Sequence, residues 1–355
     1  MKSHASMNRI YRLVWNAALC LWVAVAETAK GRSKGGSSCS RVAFASLSCD
    51  GPLTLKASCR AALALLIACS VGIAPAQAAD ATNAAVVAGS GFVRTAGNTT
   101  TVNQGTARLA IDWTSLSTRA TEALVFNQPN AQAIALNRII GTSPSELLGS
   151  LTANGQVFIL NPNGVLFGAG SQVNVGGLVA STLNMSNADF MAGNNVFTGN
   201  GSRASVVNQG SLTAASGGYL ALLAPEVRNE GVMTASLGTA LLAAGNKVTL
   251  NLDNGSLLGY SIDQGAVNAL AENKQLIKAD GGQVLLSAKA MDALTTATVN
   301  NTGVIEAKTI QNKAGRILLI GDMEYGTVNV GGHTGCISTH RLWSRRQRWR
   351  QRRLY

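Results

Sequence analysis

The sequence predicts an all-β chain: a right-handed parallel β-helix, or solenoid, closed at its N-terminal end by a sheet-rich cap. Three observations carry that expectation. Residues 151–182, LTANGQVFILNPNGVLFGAGSQVNVGGLVAST, alternate short apolar runs with Gly and Asn turns and contain no charged side chain. Residues 202–321 repeat two motifs at one spacing. The composition, with 38 Gly in 355 residues and 13% charged residues, favours turn-rich β-structure over helix, and 46% apolar residues argue against disorder.

The uncharged stretch shows the corner chemistry. Val157, Phe158, Ile159 and Leu160 form an apolar run that stops at Asn161-Pro162-Asn163-Gly164; Val165, Leu166 and Phe167 then resume before Gly168 to Gly170 turn the chain again. Pro162 presets φ at the second position of a type I turn, Asn161 can accept backbone hydrogen bonds from the first, and Gly164 suits the exit. Turn chemistry alone describes an ordinary β-hairpin equally well.

The repeats select the solenoid. Val206-Val207-Asn208-Gln209-Gly210 is followed 21 residues later by Val227-Arg228-Asn229-Glu230-Gly231. Gly217 to Ala224, GGYLALLA, is likewise followed 21 residues later by Gly238 to Gly245, GTALLAAG. Similar units recur at Gly281 to Ala288, Val299 to Gly303 and Ala314 to Gly321, with Gln264 to Ala279 read as an interrupting loop or extra hairpin. Such a period fits coils of a few short strands, with inward Leu, Val and Ala stacking on the next coil and Gly or Asn at the corners. A ladder of Asn side chains at a corner fits the same pattern.

The net charge of +12 is confined to the ends. Residues 1–78 hold nine Lys or Arg against two acids and residues 341–355 hold seven Arg and no acid, which leaves 13 of 29 bases and 15 of 17 acids between them, a balance of −2. The body therefore lacks the clustered positive charge that nucleic acid requires. Five of the six cysteines, Cys20, Cys39, Cys49, Cys59 and Cys69, precede residue 78 and Cys336 lies near the end, so the body has no disulfide scaffold, thiol nucleophile or cysteine-ligated metal. His4, His333 and His340 also lie outside it or at its edge, and no cofactor or metal site is expected.

At the N-terminus, Lys56 and Arg60, the apolar segment Ala61 to Ile73 and Ala76-Gln77-Ala78 have the form of an export signal cleaved after Ala78. A membrane span would need about 20 apolar residues, and this run is shorter and broken by Pro75. Sixty residues precede it, in which Tyr11, Trp15 and Trp22 among basic residues fit an amphipathic interfacial helix; Met7 is a plausible start. Residues 79–200 are expected to hold the cap and first coils, with Ala123 to Phe126 a strand ended by Asn127-Gln128-Pro129-Asn130. Ala131 to Ile139 is a strand or one helical turn, and Ser143 to Leu148 a short capped helix. Residues 201–332 continue the coils. Residues 333–355, HTGCISTHRLWSRRQRWRQRRLY, change chemistry abruptly and read either as a basic tail or as a frameshifted end to a truncated solenoid.

Two sets of residues carry a family resemblance. Met7 to Gly36, beginning MNRIYRLVWN and running through WVAVAE, resembles the extended signal-peptide region of very large secreted proteins of Gram-negative bacteria. From about Ala84 to Gly332 the chain resembles the N-terminal secretion domain of two-partner secretion exoproteins, the filamentous hemagglutinin-like adhesins, hemolysins and contact-dependent inhibition toxins. The matching pieces are Thr101 to Gln104, Ala110 to Thr114, Phe126 to Pro129, Asn137 to Ile139, Asn154 to Phe158, Asn161 to Val165 and Asn174 to Thr182. The resemblance implies a right-handed β-helix whose N-terminal β cap is antiparallel, export by the general secretory machinery, removal of the leader by signal peptidase, and binding by the periplasmic domains of a dedicated outer-membrane β-barrel transporter. The product would reach the cell surface or medium and meet host glycans or proteins there. It also implies that Asn161, Pro162, Asn163 and Gly164 form the secretion motif, with Asn127 and Asn103 as weaker candidates. The family's second motif, Asn-Pro-Asn-Leu, has no clean counterpart.

A glycan-active enzyme and the carrier of a toxin are the alternatives. Glycosidases need two carboxyls about 5 to 9.5 Å apart. Asp253, Asp263, Asp280, Asp292, Glu226 and Glu230 are available, but none falls at the spacing that would stack two acids on adjacent coils, and Glu226 and Glu230 suit a solvated turn.

Overall fold

The computed structural model describes residues 11–16, 21–26, 81–309 and 313–336. The chain divides into two units, Met1–Gly72 and Ile73–Tyr355. In the first, Tyr11–Asn16 and Leu21–Ala26 pair as antiparallel strands. Extended backbone thus stands where an amphipathic helix was expected, in keeping with the β-branched and aromatic residues of YRLVWN and LWVAVA. The apolar segment 61–73 and the cleavage site at Ala78 lie outside the described residues.

The second unit is a parallel β-helix with three faces. Sheet I runs from Thr99–Gln104 through Ala123–Asn127 and Ser150–Ala153 to His333–Gly335. Sheet II runs from Arg108–Trp113 through Ile134–Ile139 and Gln156–Leu160 to Arg316–Ile320. Sheet III runs from Ser145–Leu147 through Val165–Phe167 and Ser205–Asn208 to Gly326–Val330. Within each sheet the strands are parallel and in register, so inward residues such as Leu124, Leu151, Val173 and Leu212 stack along one line of the core. At the N-terminal end Ala85–Ala88 and Gly91–Ala96 pair antiparallel with the first strands of sheets II and I, forming the expected cap. That cap removes a sheet edge that would otherwise template pairing with another chain.

Sheet II is buried on both sides, which explains its unbroken apolar runs. Ile159, Ala180, Leu222 and Leu242 face the solenoid interior, whereas Phe158, Val179, Ala221 and Leu241 face an outer layer. Two excursions of the chain build that layer. The first holds the helix Asn187–Ala192, capped by Ser186 and ended by Gly193 at φ 83°, and the strand Val196–Thr198. The second is the hairpin Lys247–Asp253 and Ser256–Gln264, turned by Asn254 and Gly255 at φ 46° and 83°. Val196–Thr198 pairs with Lys247–Thr249, joining both excursions in one three-stranded sheet. Phe158 packs 6.4 Å from Phe190 and 6.0 Å from Phe197 by ring centroid. Truncating such a buried ring costs roughly 3–5 kcal/mol.

Four local expectations need correction. Ser145–Leu147 is a strand of sheet III rather than a capped helix, because Ser145 and Leu147 face inward and pair in register with Val165 and Phe167. The extra hairpin occupies 247–264, and residues 269–279 belong to an ordinary coil. The 21-residue spacing holds in sheets III and I, but in sheet II Tyr219 pairs with Thr239, a spacing of 20. The corner before Thr239 is one residue shorter, and the shift decides which Leu points inward. The ladder also passes Gly332, since His333–Gly335 pairs with Val304–Glu306. Residues 337–355 lie outside the described set.

Candidate functional site: the Asn161–Gly164 corner

Asn161 ends the last buried residues of a sheet II strand, and Val165 begins a sheet III strand, so the turn between them is a solenoid corner and not a hairpin. The Gly164 amide donates to the Asn161 carbonyl at 3.0 Å, closing the four-residue turn. Gly164 has φ +117°, a conformation that side-chain-bearing residues resist.

The Asn161 side chain is fully buried and uses both ends of its amide. Its Oδ1 accepts from the Asn163 backbone amide at 2.9 Å and from Asn163 Nδ2 at 3.1 Å. Its Nδ2 donates to the Ser143 carbonyl and to Ser145 Oγ, both at 3.0 Å. One side chain thereby fixes its own turn and ties it to the preceding coil. Asn163 is exposed, and its Nδ2 also donates to the Gly141 carbonyl at 2.9 Å. The return limb of the first excursion roofs the corner, where Ser202 Oγ donates to the Pro162 carbonyl at 2.5 Å. Asn163 and half-buried Pro162 are what the corner presents to solvent.

Asn103 and Asn127 sit elsewhere, as register partners at the end of neighbouring sheet I strands. Asn127 Nδ2 donates to Asn103 Oδ1 at 3.1 Å, and Asn127 lines a shallow cleft of about 440 Å³ with Thr152, Asn154 and Asn174. The structure therefore brings Asn103 to Asn127, and Asn161 to Asn163, but places the two pairs at different corners.

The expected Asn ladder is present at the exit of sheet III. Asn208, Asn229, Asn273 and Asn301 are fully buried, and each Nδ2 donates to the next Oδ1 at 2.8, 2.8 and 2.7 Å. A second amide chain escaped sequence reading. Gln128 Nε2 donates to Gln104 Oε1 and to the Gln156 carbonyl, each at 3.0 Å, and the buried Tyr219 hydroxyl donates to Gln156 Oε1 at 2.5 Å. Burial pushes the Tyr219 hydroxyl well above its ordinary pKa. Its only sequence signal was the recurrence of Gln beside Asn in TVNQ, FNQ and NGQ.

Charges on the outside of sheet III alternate across coils. Arg228 pairs with Glu226 at 2.5 Å and faces Glu272 at 3.8 Å, and Lys274 pairs with Glu230 at 2.9 Å and Glu272 at 3.2 Å. Hydrogen bonds from Lys274 and then Gln209 hold the Glu230 carboxyl below its usual range. Among the described residues no group of three His, Cys, Asp or Glu could hold a metal ion.

A parallel solenoid with an antiparallel cap, a buried-Asn corner and an extended leader defines a class of exported β-helical secretion domains. The comparisons place the chain within it. Residues 75–335 match the TPS secretion domain, and residues 7–52 match the Extended Signal Peptide of Type V secretion system. The chain belongs to the TPS secretion domain family. It is 32% identical over 244 residues to a Heme/hemopexin-binding protein of Haemophilus influenzae, covering 67% of this chain and 27% of that protein. A second Haemophilus influenzae Heme/hemopexin-binding protein is 30% identical over 253 residues, with 64% and 27% covered. The chain thus spans about a quarter of the length of these relatives. The crystal structure of the HMW1 secretion domain from Haemophilus influenzae superposes with TM-score 0.64 at 30% identity, covering 72% of this chain and 66% of that one. The leader and secretion domain together direct export through the periplasm and outer membrane to the cell surface or medium.

Proposed function

We propose that this chain is the part of a large adhesin- or hemolysin-type exoprotein that a dedicated outer-membrane β-barrel transporter reads, and that the reading centres on the Asn161–Gly164 corner. The observation that supports this is the combination at one corner of a fully buried, fully bonded Asn161 with an exposed Asn163. The buried amide sets the shape and the exposed one offers it to the transporter's periplasmic domains. Asn127 and Asn103 present a second, separate amide surface. The general secretory machinery carries the chain to the periplasm, where signal peptidase removes the leader.

Coil-by-coil stacking on the far side supplies the free energy of passage, since each emerging coil needs only its predecessor as a template. Catalysis forms no part of this role. Glu226, Glu230 and Glu272 pair with Arg228 and Lys274, within a coil and across coils, rather than with one another. Host glycans or proteins are the partners outside the cell, and carriage of a toxin is the second outcome open to a longer product.

Expressing the chain with and without a two-partner barrel tests the reading. Extracellular protein that depends on the barrel supports it, and equal release without the barrel overturns it.

A further inference from the structure

The three-stranded sheet of the outer layer ends in an open edge. Ser256–Gln264 pairs on one side with Lys247–Asp253 and, among the described residues, with no strand on the other. Outside that pairing the backbone of residues 259–263 bonds, among the described residues, only to Lys289, whose Nζ donates to the carbonyls of Ile262 and Asp263 at 3.0 and 3.4 Å. A lysine laid over a strand edge blunts it against indiscriminate pairing. The edge borders a cleft of about 740 Å³ that continues from Tyr260 and Ile262 across the ends of the last two sheet II strands to Ile320 and the turn after it. Met291, Ile320 and Met323 give this cleft exposed apolar surface. Asp292, Asp322 and Glu324 give it three carboxylates against the single amine of Lys289. Their hydrogen bonds are local: Asp292 accepts from the Leu294 amide, Asp322 from the amides of Glu324 and Tyr325, and Glu324 bonds the Tyr325 hydroxyl. None of the three has an ion pair among the described residues.

We infer that the open edge and the cleft together take one extended segment of another protein, added to the outer sheet as a fourth strand, with Arg or Lys at alternate positions and apolar side chains between them. The free backbone groups of the edge supply the hydrogen bonds of such an addition, and side-chain pockets supply its selectivity. Because successive side chains of a strand point to opposite faces, one set turns onto the apolar lining while the other reaches the carboxylates. Arginine suits the second set, since its planar guanidinium pairs with carboxylates and stacks on Tyr260 or Tyr325. A second copy of this chain is a poor occupant, because pairing edge to edge would bring two sets of three carboxylates together. The same charge repels nucleic acid and anionic lipid. The cleft is also discontinuous, drawn from residues 260–262, 287–292 and 320–325, so only the folded chain has it. If folding is completed outside the cell, as the proposed function holds, the partner is an extracellular protein; that step rests on the proposed function, whereas the chemistry of the edge does not.

The test titrates a fluorescein-labelled peptide of alternating Arg and Val with the purified leaderless chain and follows anisotropy, so its outcome does not depend on how the chain is secreted. Two further peptides carry N-methyl groups on one or the other alternate set of backbone amides, with charge and side chains unchanged. The expected result is binding of the parent peptide, with one methylated peptide about tenfold weaker, the scale of one or two backbone hydrogen bonds, and the other unaffected. The combined D292N, D322N, E324Q chain keeps the local acceptor oxygens, removes the charges, and should bind the parent peptide about tenfold more weakly, the scale of a few exposed ion pairs. Equal binding of all three peptides overturns the inference, by showing charge attraction without an added strand. Undiminished binding to the combined variant, or no binding of the parent peptide, overturns it as well.

Discussion

The coils before Ser181 and those after Ser205 solve one problem in two ways. Each corner must satisfy buried backbone groups as the chain changes sheets. Downstream, one device is repeated: Asn208, Asn229, Asn273 and Asn301 occupy the same register position and bond only to one another and to the passing backbone. Upstream the devices are mixed: Gln104 and Gln128 bond to each other at the exit of sheet I, Asn137 accepts from Trp113 Nε1 within a sheet II strand, and Asn161 alone ties a corner through Ser143, Ser145 and Asn163. A repeated rung transmits register without marking any coil. A singular corner marks one coil, and a partner that must find one place on a periodic solid needs such a mark.

Substitutions separate the two devices. Asn161→Ala should cost most, about 3 kcal/mol, because it leaves the Ser143 carbonyl, Ser145 Oγ and the Asn163 amide without their partner in the interior; urea unfolding of the leaderless chain measures it. Asn229→Ala, in the middle of the ladder, should cost about 2 kcal/mol in the same assay, since it orphans Asn208 Nδ2 and Asn273 Oδ1 while the flanking rungs persist. Equal costs at the two sites would erase the distinction between singular and repeated corners.

The end of the ladder provides a finer test. Asn301 Nδ2 is buried without a hydrogen-bond partner, and the residue in register on the next coil is Val330. Val330→Asn should therefore raise stability by about 1 kcal/mol by supplying the missing acceptor. A loss of stability would show that the exposed Val330 side chain matters more to the last coil than the rung does.

The smallest effect is electrostatic. Glu230 is held below its unfolded value of 4.5, so its pairing with Lys274 is fully present above about pH 4.5 and is lost as pH falls through the lowered folded value. Lys274 is raised above 10.5, so its share persists below that and fades as pH rises through the raised value. The melting temperatures of Lys274→Met and the parent chain should differ slightly at neutral pH and converge on acidification. A gap that widens in acid would contradict the assignment.

The residues that were legible in the sequence are those whose signal is local. VFIL and VLF announce strands by composition, and Asn-Pro-Asn-Gly announces a turn by backbone preference, so the corner was placed to the residue. The outer layer was not legible. KVTLNLD and SLLGYSIDQ alternate like coil strands, and only their antiparallel partnership sets them apart. The Asn254-Gly255 turn between them was the one local clue, passed over in favour of an interruption after Gln264. The 20-residue spacing of Tyr219 and Thr239 escaped because Gly217-Gly218 and Gly238 align equally well either way, and only stacking against the neighbouring coil chooses. The burial of Asn161 is likewise a tertiary fact, set by Ser143 and Ser145 one coil earlier.

Pulse-chase secretion of Asn161→Ala and Asn163→Asp, each expressed with its outer-membrane transporter, tests the central claim most directly. The account predicts normal synthesis with a reduced extracellular fraction for both, one through loss of the corner's shape and the other through the change on its exposed face. An extracellular yield unchanged from the parent chain in both variants would contradict it.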